Sequence, residues 1–299
     1  MWGELAALTA AFCFAVAATI YKEPLRTLSA VSASILRFAG TTAILIVMVL
    51  FLWGPQAILG LPAQVIVLSF GSGVIGLAFG DVLYMHSFKE IGVARTVSLV
   101  GTYPLFTLVI EFLIGRSAIP FLAIIGTPLI FVGIWLLSQR MENHTENSES
   151  PLSKSGIFAG LATSFLYSIS MLLVNDALLL LSSEAIESAV AVNTLRTAGG
   201  GVSLLLAAPI IDRDRGFLKV TRRIAMLLLV GSFIAYGVGW YLLTLGFALA
   251  PAAFVVPLSA TTPLFAVVSA VILLREPLHR RGVLGVIASV GGVIVILLA

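Results

Sequence analysis

The chain of 299 residues repeats itself at a constant spacing. Arg37 lies in the segment LRFAG (36–40), and Arg196 lies 159 residues further on in the segment LRTAG (195–199). The same step joins other pairs of identical residues: Gly80 and Gly239, Phe88 and Phe247, Pro104 and Pro263, Arg116 and Arg275, Gly126 and Gly285, and Gly133 and Gly292. A single offset over so many positions indicates two copies of one structural unit.

Each copy contains five hydrophobic stretches, all close to the roughly 20 apolar residues that a helix needs to cross a bilayer. The ten predicted spans are 4–21, 31–53, 65–88, 94–114, 118–138, 156–174, 185–209, 224–247, 252–274 and 282–298. Because the runs are continuous and do not alternate apolar with polar residues, they predict helices and not the strands of a barrel. We therefore expect an all-α membrane protein with ten transmembrane helices.

The odd number of spans in each copy predicts that the second copy is inverted relative to the first, an arrangement typical of secondary transporters. The expected domains are a first five-helix repeat (1–137), a polar linker (138–155) and a second five-helix repeat (156–299). The composition also indicates that lipid is the main solvent. Only 10 % of the residues are charged and 60 % are hydrophobic, whereas a soluble domain carries about 25 % charged residues.

The loop charges predict an orientation. Fourteen of the 17 Lys and Arg residues lie in loops that follow odd-numbered spans, and the opposite side has only Arg116. By the positive-inside rule the basic side is cytoplasmic. We therefore expect a multi-pass protein of the cell membrane with both termini facing outward.

Two charged residues within the first copy are predicted to meet. Arg37 lies about six residues inside the second span and Asp81 about seven from the cytoplasmic end of the third, so both lie roughly 9–11 Å deep on the same side. A lone charge in the membrane is costly, and such groups usually face the bundle interior and find a partner. We predict an Arg37–Asp81 pair. It is either a permanent salt bridge or a site where the carboxylate exchanges a proton or a cationic group against the arginine.

The second copy lacks the matching acid, because the 159-residue step takes Asp81 to Trp240. Glu111, near the outer end of the fourth span, is the first candidate partner for Arg196. A substrate carboxylate and a helix C-terminus are the alternatives.

Aromatic residues and prolines mark a candidate cavity. Tyr84, Tyr103, Tyr236 and Trp240 lie on central spans, and a pocket walled by aromatic rings with few polar groups suits a small, partly apolar solute. Core packing is the competing interpretation for each ring. A proline inside a helix frees a carbonyl and kinks the helix. The pair Pro104 and Pro263 therefore predicts hinges or bends beside the cavity.

The motifs of soluble enzymes are missing from the sequence. There is no phosphate-binding loop, the three histidines are scattered, and Cys13 is the single cysteine. We expect no cofactor, no metal site, no catalytic residues and, since the basic residues form no continuous patch, no nucleic-acid partner. The expected partners are the bilayer, a small-molecule solute and, if transport is coupled, protons. The chain is expected to be a monomer or a weak homodimer.

Several of these features together resemble the EamA-type drug/metabolite transporter superfamily over nearly the whole chain. They are the head-to-tail five-helix repeats, Arg37 early in the second span, the segment GDVLY (80–84), the proline pair, and the segment LLREPL (273–278) before a glycine-rich last span. The resemblance implies an exporter or exchanger with a central cavity between the repeats. Two features depart from the family. Arg116 and Ser117 stand where an acid would mirror Glu276, and members generally keep their termini in the cytoplasm.

The sequence thus predicts a secondary active transporter of small organic metabolites, such as amino acids or drug-like compounds, that works by alternating access. Proton coupling is left open. A carrier of phosphorylated sugars or nucleotide-sugars is the runner-up, but it would need several cavity cations and the spans hold only two arginines. An intramembrane enzyme would need clustered acids or histidines, and a channel would need a polar pore or charged rings.

Overall fold

A computed structural model of the chain describes residues 2–21, 23–91, 96, 99–115, 121–143, 153–181, 185–212, 215–265 and 280–298. These ranges are almost entirely helical and contain no strand. The helices of at least two turns are α1 (Trp2–Tyr21), α2 (Ala30–Leu52), α3 (Ala63–Ile91), α4 (Tyr103–Leu113), α5 (Phe121–Asn143), α6 (Lys154–Leu179), α7 (Ala185–Ile211), α8 (Arg222–Leu249), α9 (Ala252–Ser259) and α10 (Arg280–Leu297).

The described residues confirm the expectation of an all-α fold with apolar helices of membrane-spanning length. Six helices in the described ranges are long and apolar enough to cross a membrane, namely α1, α2, α3, α6, α7 and α8. The other four predicted spans contain shorter apolar helices: Tyr103–Leu113, Ile124–Gly133, Ala252–Phe265 and Val283–Val295. Parts of the fourth, fifth and ninth predicted spans lie outside the described residues.

Burial is distributed as in a protein whose solvent is lipid. Large apolar side chains point outward, such as Phe51 at 88 % exposure and Leu206 at 75 %, while Arg37 and Arg196 are buried at 1 % and 0 %. In water-soluble domains charged side chains are almost never fully buried unless they are paired. The buried charged residues inside the bundle are therefore the candidates for a functional site.

Side-chain caps fix the starts of several helices at one end of the bundle. The hydroxyls of Ser29, Ser153 and Thr221 accept hydrogen bonds from the backbone N–H three residues further on, at 3.0, 3.3 and 3.4 Å. Each cap satisfies one of the N–H groups that the first turn of a helix leaves unpaired. The hydrophobic runs thus begin as helices at defined residues.

At that same end of the bundle, charged and polar side chains link neighbouring loops and helix ends. Arg223 on α8 pairs with Glu23 after α1 at 3.1 Å, and Lys89 near the end of α3 donates to the carbonyl of Leu28 at 2.9 Å. Asp212 at the end of α7 accepts from Ser32 near the start of α2 at 2.8 Å. Loops that follow odd-numbered helices therefore lie together.

The helix contacts come in pairs that the 159-residue step relates. α1 packs against α8, and α6, its counterpart, packs against α3, the counterpart of α8. Some counterparts also pack directly on each other: α2 packs against α7, and α5 packs against α10. The bundle is thus assembled from contacts that cross between the two halves of the chain.

Glycines allow the closest of these crossings. A Cβ on Gly73 of α3 would overlap the carbonyl oxygen of Arg196 on α7, and one on Gly199 of α7 would overlap the carbonyl of Phe70 on α3. In lipid, helices associate through such close backbone approach at small residues. The α3–α7 crossing sets the position of Arg196 in the interior.

This crossing gives a matched pair of substitutions within one helix. We expect Gly73→Ala to destabilise the protein by about 1–3 kcal/mol, because the added methyl group must push two backbones apart. At Gly71 an added Cβ meets nothing within 4 Å, so Gly71→Ala should leave stability unchanged or raise it slightly. Thermal unfolding of the two variants in detergent, followed by tryptophan fluorescence, measures the difference. Equal melting temperatures would contradict the close approach.

Candidate functional site: a buried ion pair beside an aromatic cavity

Two π-helical segments occupy equivalent places in the two halves. One is Val74–Gly80 in α3 and the other is Phe233–Gly239 in α8, and the 159-residue step carries the first onto the second. Each is followed directly by a residue predicted for the site, Asp81 in α3 and Trp240 in α8. Segments of π-helix inside α-helices are rare in proteins. Where they occur, they often lie at functional sites. Here they set the positions of both residues in the interior.

The predicted pair between Arg37 and Asp81 forms. Arg37 Nη1 lies 2.9 Å from Asp81 Oδ2, and the two side chains are 1 % and 0 % exposed. The hydroxyl of Ser34, one turn before Arg37 on α2, donates to the same oxygen at 2.7 Å. A buried charge that keeps both an opposite charge and additional hydrogen bonds is compensated, whereas removing one partner typically costs about 3–5 kcal/mol.

Tyr236 joins this pair to the second half of the chain. Its hydroxyl accepts from Arg37 Nη2 at 2.7 Å and donates to Asp81 Oδ1 at 2.7 Å. Asp81 therefore accepts three hydrogen bonds, from Ser34, Arg37 and Tyr236. Since Tyr236 lies in the π-segment of α8, any separation of α8 from α2 and α3 breaks this network.

The Arg37 guanidinium also stacks on aromatic rings. Its central carbon lies 4.1 Å from the centroid of the Tyr21 ring and 5.0 Å from that of Tyr236. The negative face of an aromatic ring attracts a cation, more strongly in a desolvated site. Rings from α1 and α8 thus help to hold the charge.

Among the described residues Arg196 makes no hydrogen bond or ion pair to Glu111, the first candidate for its partner. The contacts of Arg196 are a hydrogen bond from Nη2 to Ser170 Oγ at 3.0 Å and the Trp240 ring, whose centroid lies 3.4 Å from the guanidinium carbon. The position equivalent to Asp81 holds an aromatic ring, Trp240. The ring occupies the place that the carboxylate has in the first half.

A cavity of about 90 Å³ lies at the centre of the bundle. Seven of the 18 described residues that line it are aromatic: Phe14, Tyr21, Tyr84, Tyr103, Tyr167, Tyr236 and Trp240. Arg37 is the one charged side chain among the lining residues described. The volume is enough for a small solute or several water molecules, since one water needs about 10–15 Å³ by this kind of measure.

The cavity separates the candidate residues into two groups. Arg37, Tyr84, Tyr103, Tyr236, Trp240 and Pro263 line it, whereas Asp81, Arg196, Glu111 and Pro104 do not. Asp81 lies behind Arg37 and Tyr236, and Arg196 lies against Trp240, so both are one side chain away from the cavity. Glu111 is buried in α4.

Tyr21 was not among the predicted site residues; it lies at the end of a span, a position typical of the membrane interface. Ser34 was not among them either. The helical spacing of Ser34, three residues before Arg37, was the available signal for a residue on the same face.

The two prolines follow breaks in their helices. Pro104 lies in the first turn of α4, after a turn at 101–102, and Pro263 follows the equivalent turn at 260–261. The expected kink in an uninterrupted helix is therefore not what Pro104 produces, because the first turn of a helix tolerates proline without loss of a hydrogen bond. Gly101 and Ala260, one in each break, both line the cavity.

Polar side chains of a neighbouring helix donate hydrogen bonds to the backbone carbonyls beside the first break. Ser164 and Ser168 of α6 donate to the carbonyls of Val100 and Tyr103 at 2.9 and 2.6 Å. From the other side, the Tyr103 hydroxyl donates to the carbonyl of Val256 on α9 at 3.1 Å. Irregular backbone within a membrane is tolerated where it is buried in protein or lines a cavity.

Comparison with known proteins identifies the family and the fold. The model of the EamA-like transporter family matches residues 1–139 and 154–298. A protein of Archaeoglobus fulgidus described as an uncharacterized transporter is 25 % identical over 299 residues, which cover 98 % of this chain and 97 % of that protein. A protein of known crystal structure, 14 % identical, aligns with a TM-score of 0.76 over 99 % of this chain and 96 % of its own, which shows a shared fold.

The family match extends over nearly the whole chain, as the resemblance of the sequence motifs implied. The chain belongs to the EamA-like transporter family.

Proposed function

We propose that the protein is a secondary active transporter, an exporter or exchanger of small organic metabolites such as amino acids or drug-like compounds. It works by alternating access around the central cavity, between two inverted five-helix halves. The observation that carries the proposal is the hydrogen-bonded network of Arg37, Asp81 and Tyr236. This network lies at the cavity and joins the halves across it.

The inverted repeat rests on features that recur at the same offset. The π-segments, the helix breaks before the prolines and the packing of each helix all recur 159 residues further on. The family model also matches twice in succession. In inverted-repeat transporters the solute site lies near the mid-membrane between the repeats and is often formed by discontinuous helices, which suits a cavity lined by both breaks.

The chemistry of the cavity favours a small, partly apolar solute over a phosphorylated one. Seven aromatic side chains line the cavity, and the charge of Arg37 is already balanced by Asp81. A phosphate group carries about 1.5 to 2 negative charges at neutral pH, so it would need several cations that are free to bind it. Within the described residues no group of three or more His, Cys, Asp or Glu that could hold a metal ion comes together, so a metal-dependent intramembrane enzyme is not favoured.

Proton coupling is proposed at Asp81. In the arrangement seen here both carboxylate oxygens accept hydrogen bonds, from Arg37, Tyr236 and Ser34. When the halves move apart, Tyr236 leaves with α8, and Arg37 loses the hydroxyl that holds its second nitrogen. Once the conformational change or the solute separates Arg37 from Asp81, burial favours the neutral carboxylic acid. Proton uptake and release at Asp81 thereby follow the change of access, which is a population shift between two states.

Transport and coupling are tested together in proteoliposomes. We expect counterflow of at least one solute from a panel of radiolabelled amino acids and cationic dyes, and uphill accumulation of that solute under a pH gradient. Asp81→Asn should reduce this accumulation to the level of empty liposomes while part of the counterflow remains. Normal uphill accumulation by Asp81→Asn would show that the carboxylate is structural.

A double variant provides the control for folding. Asp81→Asn leaves Arg37 buried without its partner, so a loss of activity could reflect misfolding. Arg37→Gln/Asp81→Asn removes both charges and should fold. If the carboxylate couples protons, the double variant should still exchange solute without responding to pH. If the pair is only structural, the double variant should regain pH-driven accumulation.

We propose further that the protein lies in the cell membrane with both termini outward. The support is the end of the bundle where Lys89, Arg223 and the capped helix starts gather. In the sequence, the loops predicted to follow odd-numbered spans hold fourteen of the 17 basic residues, and cytoplasmic loops carry such an excess. We therefore infer that the basic end faces the cytoplasm, together with the linker.

A single cysteine in the linker tests this orientation. In a Cys13→Ala background, Ser148→Cys should resist an impermeant maleimide applied to intact cells and react after the membrane is permeabilised. A cysteine at Gln56, in the loop between α2 and α3, is the matched control and should react from outside. The reverse pattern would place both termini in the cytoplasm, as is general in the family.

A further inference from the structure

Arg196 is a buried cation that the described structure leaves uncompensated. The side chain is 0 % exposed. Nη2 donates to Ser170, while Nε and Nη1 have no hydrogen-bond partner among the described residues, and no ion pair to Arg196 occurs there. The hydroxyl of Ser170 is itself committed as a donor to the carbonyl of Ser72 at 2.7 Å. Two donors and one full charge remain available.

The repeat shows what is missing at this position. Arg37 and Arg196 are equivalent residues of α2 and α7, and Asp81 and Trp240 each directly follow a π-segment. In the first half the residue after the π-segment supplies a carboxylate to its arginine at 2.9 Å. In the second half the same position supplies only a ring face at 3.4 Å. The two sites share a backbone arrangement and differ by one carboxylate.

We propose that Arg196 and Trp240 form the binding site for the carboxylate of the transported solute. The solute supplies to the second half the acid that Asp81 supplies to the first. This inference rests on the proposed transport function and names its substrate class, a solute with one carboxylate and a small apolar or aromatic body.

The number of buried cations without a balancing acid determines how many negative charges the solute can carry. Arg37 is balanced by Asp81, so Arg196 alone can balance one negative charge. A carboxylate matches a guanidinium geometrically, because two parallel N–H donors face its two oxygens. A water molecule could occupy Nε and Nη1, but it would leave the charge uncompensated inside the membrane.

Trp240 connects this site to the cavity. It lines the cavity and also lies on the Arg196 guanidinium. A carboxylate in the cavity reaches Arg196 when the Trp240 side chain turns aside, and the π-segment Phe233–Gly239 that precedes it is a non-α-helical stretch of backbone. The displaced ring then offers its face to the apolar body of the solute. Such stacking suits an aromatic or aliphatic group.

Trp240 also provides the readout. The other three tryptophans, Trp2, Trp53 and Trp135, are exposed, and replacing each by Phe in the full chain leaves Trp240 as the fluorophore. We expect 3-phenylpropionate to change its fluorescence saturably. The amide 3-phenylpropanamide and the amine 3-phenylpropylamine have the same body without the charge of the acid, and they should bind at least about tenfold more weakly.

Charge variants at Arg196 assign the effect. Arg196→Gln should abolish the preference for the acid, and Arg196→Lys should retain the preference with weaker binding, because lysine keeps the charge but not the paired donors. Arg223→Gln, at an exposed position, is the control and should bind like the parent. Equal binding of acid, amide and amine would overturn the inference, and so would an acid preference that survives Arg196→Gln. Saturation of the same signal by chloride would also overturn it, since it would mark an inorganic anion site.

Counterflow separates this inference from the proposed function. Arg196-dependent binding of 3-phenylpropionate without counterflow of any solute would support the site and contradict transport. Counterflow that accepts acids and amines alike, in wild type and Arg196→Gln, would support transport and overturn the site.

Discussion

A charge inside a membrane needs an opposite charge or several hydrogen bonds, because the apolar interior does not solvate it. Arg37 meets this requirement through Asp81, Tyr236 and the Tyr21 ring, which belong to four helices together with Arg37 itself. The arrangement of α1, α2, α3 and α8 at the cavity is therefore tied to one guanidinium. The same requirement makes the network suitable for control, since it crosses between the halves and cannot lose one member without cost.

The backbone around the cavity is irregular at four places, in two equivalent pairs. The π-segments set Asp81 and Trp240 into the interior, and the breaks before Pro104 and Pro263 place Gly101 and Ala260 at the cavity wall. A repeat gives both halves the same backbone features, while individual residues within it diverge. The halves are consequently alike in geometry and unlike in charge, with an ion pair in one and a cation on a ring in the other.

Hydropathy and periodicity were sufficient for the fold class, because continuous apolar runs of membrane length leave few alternatives to helices. The Arg37–Asp81 pair was also predictable, since two charges at the same depth in neighbouring spans have a strong reason to meet. The partner of Arg196 was not, because a tryptophan carries no charge to signal that it replaces an acid. The π-segments and the helix breaks depend on packing between helices that are distant in the sequence. The spacing of apolar residues within one helix gives no information about such packing.

The central claim is that Asp81 changes its protonation when the network between the halves opens. Infrared difference spectroscopy of the full chain in lipid observes this directly, because a protonated carboxyl and a carboxylate absorb at different frequencies. Acidification and addition of a transported solute should produce a protonated-carboxyl band in the wild type that is absent from Asp81→Asn and retained in Glu111→Gln. A wild-type spectrum without that band, under conditions where the solute is transported, would contradict the account.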